Sequence, residues 1–240
     1  IAAMDKRYSF NSTRVVLAAL RKLYPDNKAY IAEMKRRYTE YKKIDDSQEP
    51  TDSQREKFVS WEALQKFRDE YADDFTPEQY LAMSLYTMWE PVRLDYTPMR
   101  IVARKPRTLE DGTNYLIVGK SGIQCLFHAY KTADKFGDIV RKMPRNLEHV
   151  VRKFLEEHPN RVYLFETGDH KPWQEQRLSG LVRGIFQKYH DMSTGVSMIR
   201  HAYATWFHRG TKPLTELRKA SHNMMHSMTQ QQTYRFIELE

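Results

Sequence analysis

The sequence predicts a mainly helical α+β chain, in which a helical segment and a solvated linker precede a larger helical domain carrying one small antiparallel sheet. Three observations carry that expectation. Apolar residues recur at helical spacing along most of the chain, residues 43–57 lose that recurrence, and three short apolar runs follow the turn pair Asp111-Gly112. A length of 240 residues leaves room for one large or two small domains, each burying its own core.

From Asn11 to about Lys43, Val15, Val16, Leu20, Leu23, Tyr30, Ile31, Met34 and Tyr38 fall on helical periods interrupted at Pro25, Asp26 and Asn27, which predicts two helices and a turn. Two helices are too little for a self-sufficient core, so this piece is expected to be part of a longer domain. The stretch KIDDSQEPTDSQREK then has the composition of a solvated linker, and the domain boundary is placed at residues 47–57. Beyond it, residues 61–71 and 77–89 read as helices, the second capped by Thr76 with Pro77 in its first turn. Residues 115–118, 123–130 and 138–143 read as strands. Helical spacing returns at 147–157, 178–189, 197–209 and 213–220.

Composition narrows the function classes. Hydrophobic residues are 40% and charged residues 29%, and the longest apolar stretches, 15–20 and 80–89, are too short to cross a bilayer, so no membrane partner is expected. A single cysteine, Cys125, forms no internal disulfide, and no basic-then-apolar leader opens the sequence, which points to an intracellular, reducing compartment. The net charge of +8 favours a polyanionic partner.

Three familiar motifs fail on spacing. Val118-Gly119-Lys120-Ser121 lacks the earlier glycine of a phosphate-cradling loop, because Asn114 stands there. His222 and His226 share a helical spacing but have no third ligand nearby, so no metal site is assigned. No G-x-S-x-G elbow announces a serine hydrolase. What does hold is an ordered set: Arg93 after a helix, Lys131 in a strand-to-strand turn, Arg200-His201 opening a helix, His226, and Tyr234. Each alone is an ordinary surface or half-buried residue.

Taken in order, these residues resemble the tyrosine recombinases, the lambda-integrase-like DNA breaking-and-rejoining enzymes, from about Trp61 to Tyr234. EPVRLDYTPM at 90–99 is similar to the first-arginine box, and most like the branch carried by large eukaryotic DNA viruses and Polinton-type elements. AYKTADKFGD at 129–138 matches the hairpin that presents the catalytic lysine, IRHAYATWF at 199–207 the second-arginine box, and MMHSMTQQQTY at 224–234 the closing box with its tyrosine. Three positions depart from the family pattern. Ser197 stands where His or Lys usually precedes the second arginine, Met225 replaces a common glycine, and Asp95 follows Arg93 by two positions, not three.

The resemblance implies a helical core-binding clamp over 1–46 and a catalytic domain over 58–240. Within the latter, Tyr234 attacks a DNA phosphodiester to form a 3′-phosphotyrosyl intermediate, while Arg93 and Arg200 bind the non-bridging oxygens as the phosphorane forms. His226 adds a hydrogen bond to the phosphate, and Lys131, with Lys135 as fallback in the same turn, protonates the leaving 5′-oxygen. Ser197 stands at the auxiliary acid/base position but cannot carry a proton as imidazole does, so that role is either weakened or moved to nearby His201, and Asp95 orients an arginine. The intermediate stores the bond energy, so neither ATP nor metal is implied and no cofactor is expected.

The partner implied is double-stranded DNA. Lys35, Arg36, Arg37, Lys42 and Lys43 on one side and Arg104, Lys105 and Arg107 on the other suit a clamp on its phosphates. The family works as a tetramer on two duplexes, and the viral resemblance places the protein in a nucleus or viral factory. The reading is therefore a site-specific recombinase or integrase. A type IB topoisomerase uses a very similar site, a lapsed DNA-binding relative would keep binding without cleavage, and a basic helical interaction protein would leave the ordered boxes unexplained.

Overall fold

A computed structural model describes residues 4, 6–8 and 10–239, and the chain divides into two compact units, Ile1–Glu49 and Pro50–Glu240. The first contains α1 (Phe10–Leu23) and α2 (Lys28–Ser47). The turn at Asn27 arises because its side-chain oxygen accepts from the N–H groups of Ala29 and Tyr30 at 3.1 and 3.2 Å, capping α2. Helix α2 continues through 43–47, residues that the sequence reading places beyond the helix. These residues continue the helix without core contact, Lys43, Ile44, Asp46 and Ser47 being exposed, and it stops where Gln48 turns left-handed (φ 54°) and Glu49 precedes Pro50.

Basic residues on α2 divide by burial. Lys35, Lys42 and Lys43 are exposed, and Arg36 is exposed but ion-paired with Glu33 and Glu40. Arg37 corrects the expectation of a DNA contact: it is 2% exposed, its Nε donates to Glu33 at 2.8 Å and its guanidinium lies over the Phe10 ring. Its spacing on the helix turns it inward, and the two arginines together hold the Glu33 carboxyl down at about 2.

The second unit opens with a short α3 (Asp52–Arg55), then α4 (Trp61–Glu70), capped by Ser60, and α5 (Pro77–Thr87), capped by Thr76. The expected Thr76 cap is present, and Gln79 completes it as a reciprocal capping box. Residues 81–87 of α5 are buried on every side, so this helix is the rod around which the unit is built. Around it pack α7 (Arg145–Glu157), α8 (Glu175–His190) and α9 (Val196–Phe207), with Leu64, Leu81, Leu85, Leu116, Val151, Phe186 and Ile199 among the fully enclosed side chains. Two further helices, α10 (Leu214–Asn223) and α11 (Met228–Thr233), lead to the C-terminal 3-10 turn.

The sheet differs from expectation. It has four strands in the order β1 (Met99–Val102), β2 (Asn114–Gly119), β3 (Gly122–Phe127), β4 (Ile139–Lys142), and β1 runs parallel to β2, so the sheet is mixed and not antiparallel throughout. The extra strand is four residues long and follows Pro98, too short for alternation to reveal; its existence depends on β2 on one side and on Val162 and Leu164, bonded to Ile101 and Met99, on the other. The β3–β4 connection carries the short α6 (Ala133–Phe136). Among the described residues, no helix is long and apolar enough to cross a membrane.

Candidate active site

Helix α5 runs straight into the segment holding Arg93, and that residue's backbone is gripped at both ends. The buried Tyr86 hydroxyl donates to the Arg93 carbonyl at 2.6 Å, and the Arg93 N–H donates to Asp95 Oδ2 at 3.0 Å. Asp95 thus bonds to the Arg93 main chain; burial lifts its carboxyl above the ordinary value, against the pull of Arg200 and Arg93. Asn114, fully buried at the start of β2, joins this segment to the lysine loop. Its amide donates to the carbonyls of Asp95 (2.8 Å) and Ala129 (3.0 Å), and its oxygen accepts from the N–H groups of His128 and Ala129, both at 2.8 Å.

The second arginine enters from α9. Arg200 is 1% exposed, and its Nη1 donates to the Pro91 carbonyl at 2.8 Å, tying α9 to the first-arginine segment. The backbone turn after α10 receives both guanidiniums: Arg200 reaches the Met224 carbonyl at 3.4 Å and Arg93 the Met225 carbonyl at 3.5 Å. Met225 takes φ 59°, the left-handed region that favours glycine, at a cost of about 1–2 kcal/mol that burial of its side chain offsets. Its carbonyl also accepts from Thr132 Oγ1 at 3.0 Å, which fastens the lysine loop to the same turn.

Tyr234 ends α11. Burial by itself would raise its phenol, but the charges and N–H groups of Arg200 and Arg93, which face the hydroxyl, outweigh it and hold the phenol below its ordinary value. The Arg200 guanidinium lies 4.9 Å from the Tyr234 ring centroid. His201 Nδ1–H donates to the Tyr234 carbonyl at 2.9 Å, its ring stacks on Phe236 at 4.4 Å, and the Phe236 N–H donates to Thr205 Oγ1 at 3.0 Å. The segment that carries the tyrosine is therefore clipped onto α9.

Arg93, Lys131, Ser197, Arg200 and Tyr234 line one open cleft of about 750 Å³. Lys131 is exposed at its edge in the β3–β4 connection, whereas Lys135 stands in α6 outside the cleft lining, with its ammonium over the Phe136 ring. Ser197 is one helical turn before Arg200 on the same face and exposed to the cleft. Arg183 of α8 also lines it, its stem lying along Gly195, where an added Cβ would meet Arg183 Cγ at 3.5 Å; nothing in the local sequence distinguishes this arginine from a solvated one. Arg104, Lys105 and Arg107 are exposed on the β1–β2 loop.

Both candidate-site histidines are neutral in this setting. Burial, with the Arg200 charge adding to it, pushes His201 down to about 4 despite its bond to Tyr234, so it holds the tyrosine backbone as a neutral ring and takes no second proton at neutral pH. Burial and then Arg200 push His226 down to about 3. His226 is 3% exposed, and its nitrogens meet Arg200 Nη2 (3.1 Å) and Gln231 Oε1 (2.6 Å). The unfolded chain protonates histidine near 6.5, so this contribution to stability is complete above that pH and is lost as pH falls toward 4 and 3. By about pH 5 the loss is expected to reach roughly 2 kcal/mol per histidine, read as a falling denaturant midpoint, and His201→Phe is expected to halve it.

Outside the cleft lining is a polar cluster that spacing did not reveal. Arg141 of β4, 4% exposed, donates to the Glu90 carbonyl (3.1 Å), Glu90 Oε2 (2.8 Å) and the Asn223 carbonyl (2.8 Å), while Asn223 donates to Glu90 Oε1 at 2.9 Å. It locks the sheet, the first-arginine segment and the end of α10 together, with the Arg141 guanidinium 3.9 Å from the Trp89 ring centroid. No cluster of three or more His, Cys, Asp or Glu among the described residues is placed to hold a metal ion.

No protein-family model matches the sequence, and no curated protein matches it. Among solved structures, the crystal structure of XerA recombinase matches with a TM-score of 0.54 at 14% identity, over 97% of this chain and 73% of that one. The chain therefore has the mainly helical α+β fold of that recombinase structure.

Proposed function

We propose that the protein cleaves and rejoins double-stranded DNA through Tyr234, as a site-specific recombinase or integrase. One observation carries the reading: a phenol held low by two guanidiniums shares a cleft with an exposed lysine. In the proposed reaction the Tyr234 phenolate oxygen attacks phosphorus, the bond to the 5′-oxygen breaks, and Lys131 delivers the proton that oxygen takes up. Arg93 and Arg200 bind the two non-bridging oxygens most strongly as charge builds on them, and Arg183 adds a third guanidinium to the same cleft. Rejoining is the reverse, with a 5′-hydroxyl as attacking group and Tyr234 as leaving group. No step uses a metal, ATP or other cofactor.

The exposed loop bearing Arg104, Lys105 and Arg107, and the exposed lysines of α2, supply phosphate contacts in this reading, and binding weakens steeply with salt. Assembly as a tetramer on two duplexes and kinship with the viral and Polinton-type branch extend the proposal, the latter resting on the wording of residues 90–99. The test is a denaturing gel for covalent protein–DNA adduct, using nicked duplexes of randomised sequence in buffer containing EDTA. Adduct is expected without added metal. Cleavage seen only with a divalent metal would contradict the reading, and relaxation of supercoiled plasmid without recombinant products would reassign it to a topoisomerase.

A further inference from the structure

His226 is bounded by two groups whose hydrogen-bonding capacity leaves one arrangement. Arg200 Nη2, 3.1 Å from Nδ1, can only donate, so Nδ1 must present a lone pair. A neutral imidazole then carries its proton on Nε2, and that N–H requires an acceptor. The group in place is Gln231 Oε1, at 2.6 Å. Gln231 is itself 1% exposed, and its amide nitrogen is buried without a partner, so this side chain is held for its oxygen and not for its own hydrogen-bond balance.

We propose that Gln231 is a positioning residue that fixes the His226 tautomer, so that Nδ1 of His226 accepts from Arg200 and holds that guanidinium in place. The donors run one way, from Arg200 to His226 to Gln231, and Gln231 lies one helical turn before Tyr234 on α11. The chain thereby connects the phosphate-binding guanidinium to the helix that carries the nucleophile, a role in catalysis that rests on the function proposed above. The groups facing His226 are Arg200, Arg93 and the Tyr234 ring, 5.4 Å between ring centroids, and among the described residues no carboxylate bonds to it.

The test is nitrogen-resolved NMR of the histidine-labelled protein without DNA, the His226 signal being assigned by its loss in His226→Asn. A neutral ring with a solvent-protected proton on Nε2 is expected. Gln231→Met should abolish that protection and slow adduct formation on the order of 10- to 100-fold, as for partners behind metal-bound histidines, with DNA affinity unchanged. Gln231→Glu, which keeps an acceptor, should restore both. A proton on Nδ1, or a doubly protonated ring at neutral pH, overturns the proposal from the unaltered protein alone, whatever becomes of the variants. An unchanged adduct rate in folded Gln231→Met overturns it too. If the unaltered protein forms no adduct, the claim about rate falls with the proposed function, while the imidazole signal still decides the assignment of tautomer.

Discussion

Tyr234→Phe is expected to eliminate covalent attachment to DNA, by a factor on the order of 10⁴ or more, while leaving duplex binding and folding close to unaltered. The substitution removes one oxygen whose neighbours are Arg93 and Arg200, and it keeps the ring beside His201 and His226. The backbone bonds that hold the segment, from His201 to the Tyr234 carbonyl and from the Phe236 N–H to Thr205, do not involve the hydroxyl. The experiment also addresses the other phenol in the cleft. Tyr130 lines the same space, but burial, with Asp138 and Asp95 adding to it, pushes its phenol up to about 12, and its hydroxyl donates to the Gly137 carbonyl at 2.5 Å. Adduct surviving in Tyr234→Phe and lost in Tyr130→Phe would move the nucleophile to Tyr130.

Arg200→Gln is expected to slow adduct formation by about 10²–10³, or roughly 3–4 kcal/mol of barrier, in the range measured for single donors to a developing oxyanion. Three effects act together. The phosphate loses a charged donor, Tyr234 loses the stronger of the two cations that hold its phenol low, and His226 Nδ1 loses its donor. Arg200→Lys should recover little, because a single ammonium cannot reach the Pro91 carbonyl, the Met224 carbonyl and His226 as the planar fork does. Raised pH should partly rescue Arg200→Gln if the phenolate is the attacking species, since its return toward the ordinary tyrosine value is then what limits the rate.

Much of the fold could be read locally. Thr76 with Pro77 and Gln79 marks a helix start by itself, Asn27 does so through its own side chain, and the run 81–87 is buried because it has no polar face to expose. Lys131 could be placed in a connection between strands, and Ser197 and Arg200 on one helix face, because those relations are set by short-range geometry. Strand β1 was hidden because four residues after a proline acquire their meaning only from distant partners. The same holds for Asn114 and Arg141, whose bonds reach Ala129 and Glu90, while Tyr86 and Gln231 meet Arg93 and His226 across chain turns that residue spacing does not show. A tyrosine or asparagine in an apolar run looks the same whether it fills a core or fastens a site, and only tertiary geometry separates the two.

Met225 illustrates how a departure from pattern acquires a physical account. Met225 stands where the resembled family commonly has glycine, yet the backbone takes φ 59° and both carbonyls of the Met224-Met225 turn accept from the cleft arginines. The turn is held by its hydrogen bonds and by a buried side chain instead of by glycine's freedom. His201 gives the opposite lesson. An imidazole next to the second arginine suggests proton transfer, but burial keeps it neutral and its Nδ1–H is committed to the tyrosine backbone.

The most direct measurement is the site of attachment itself. Adduct formed in EDTA on nicked duplex, digested with protease and nuclease and mapped by mass spectrometry, is expected to carry a single nucleotide phosphate on the peptide containing Tyr234, joined to the 3′ end of the cleaved strand. A modified peptide elsewhere, attachment through a 5′-phosphate, or strand cleavage that leaves no protein-bound nucleotide would contradict the account.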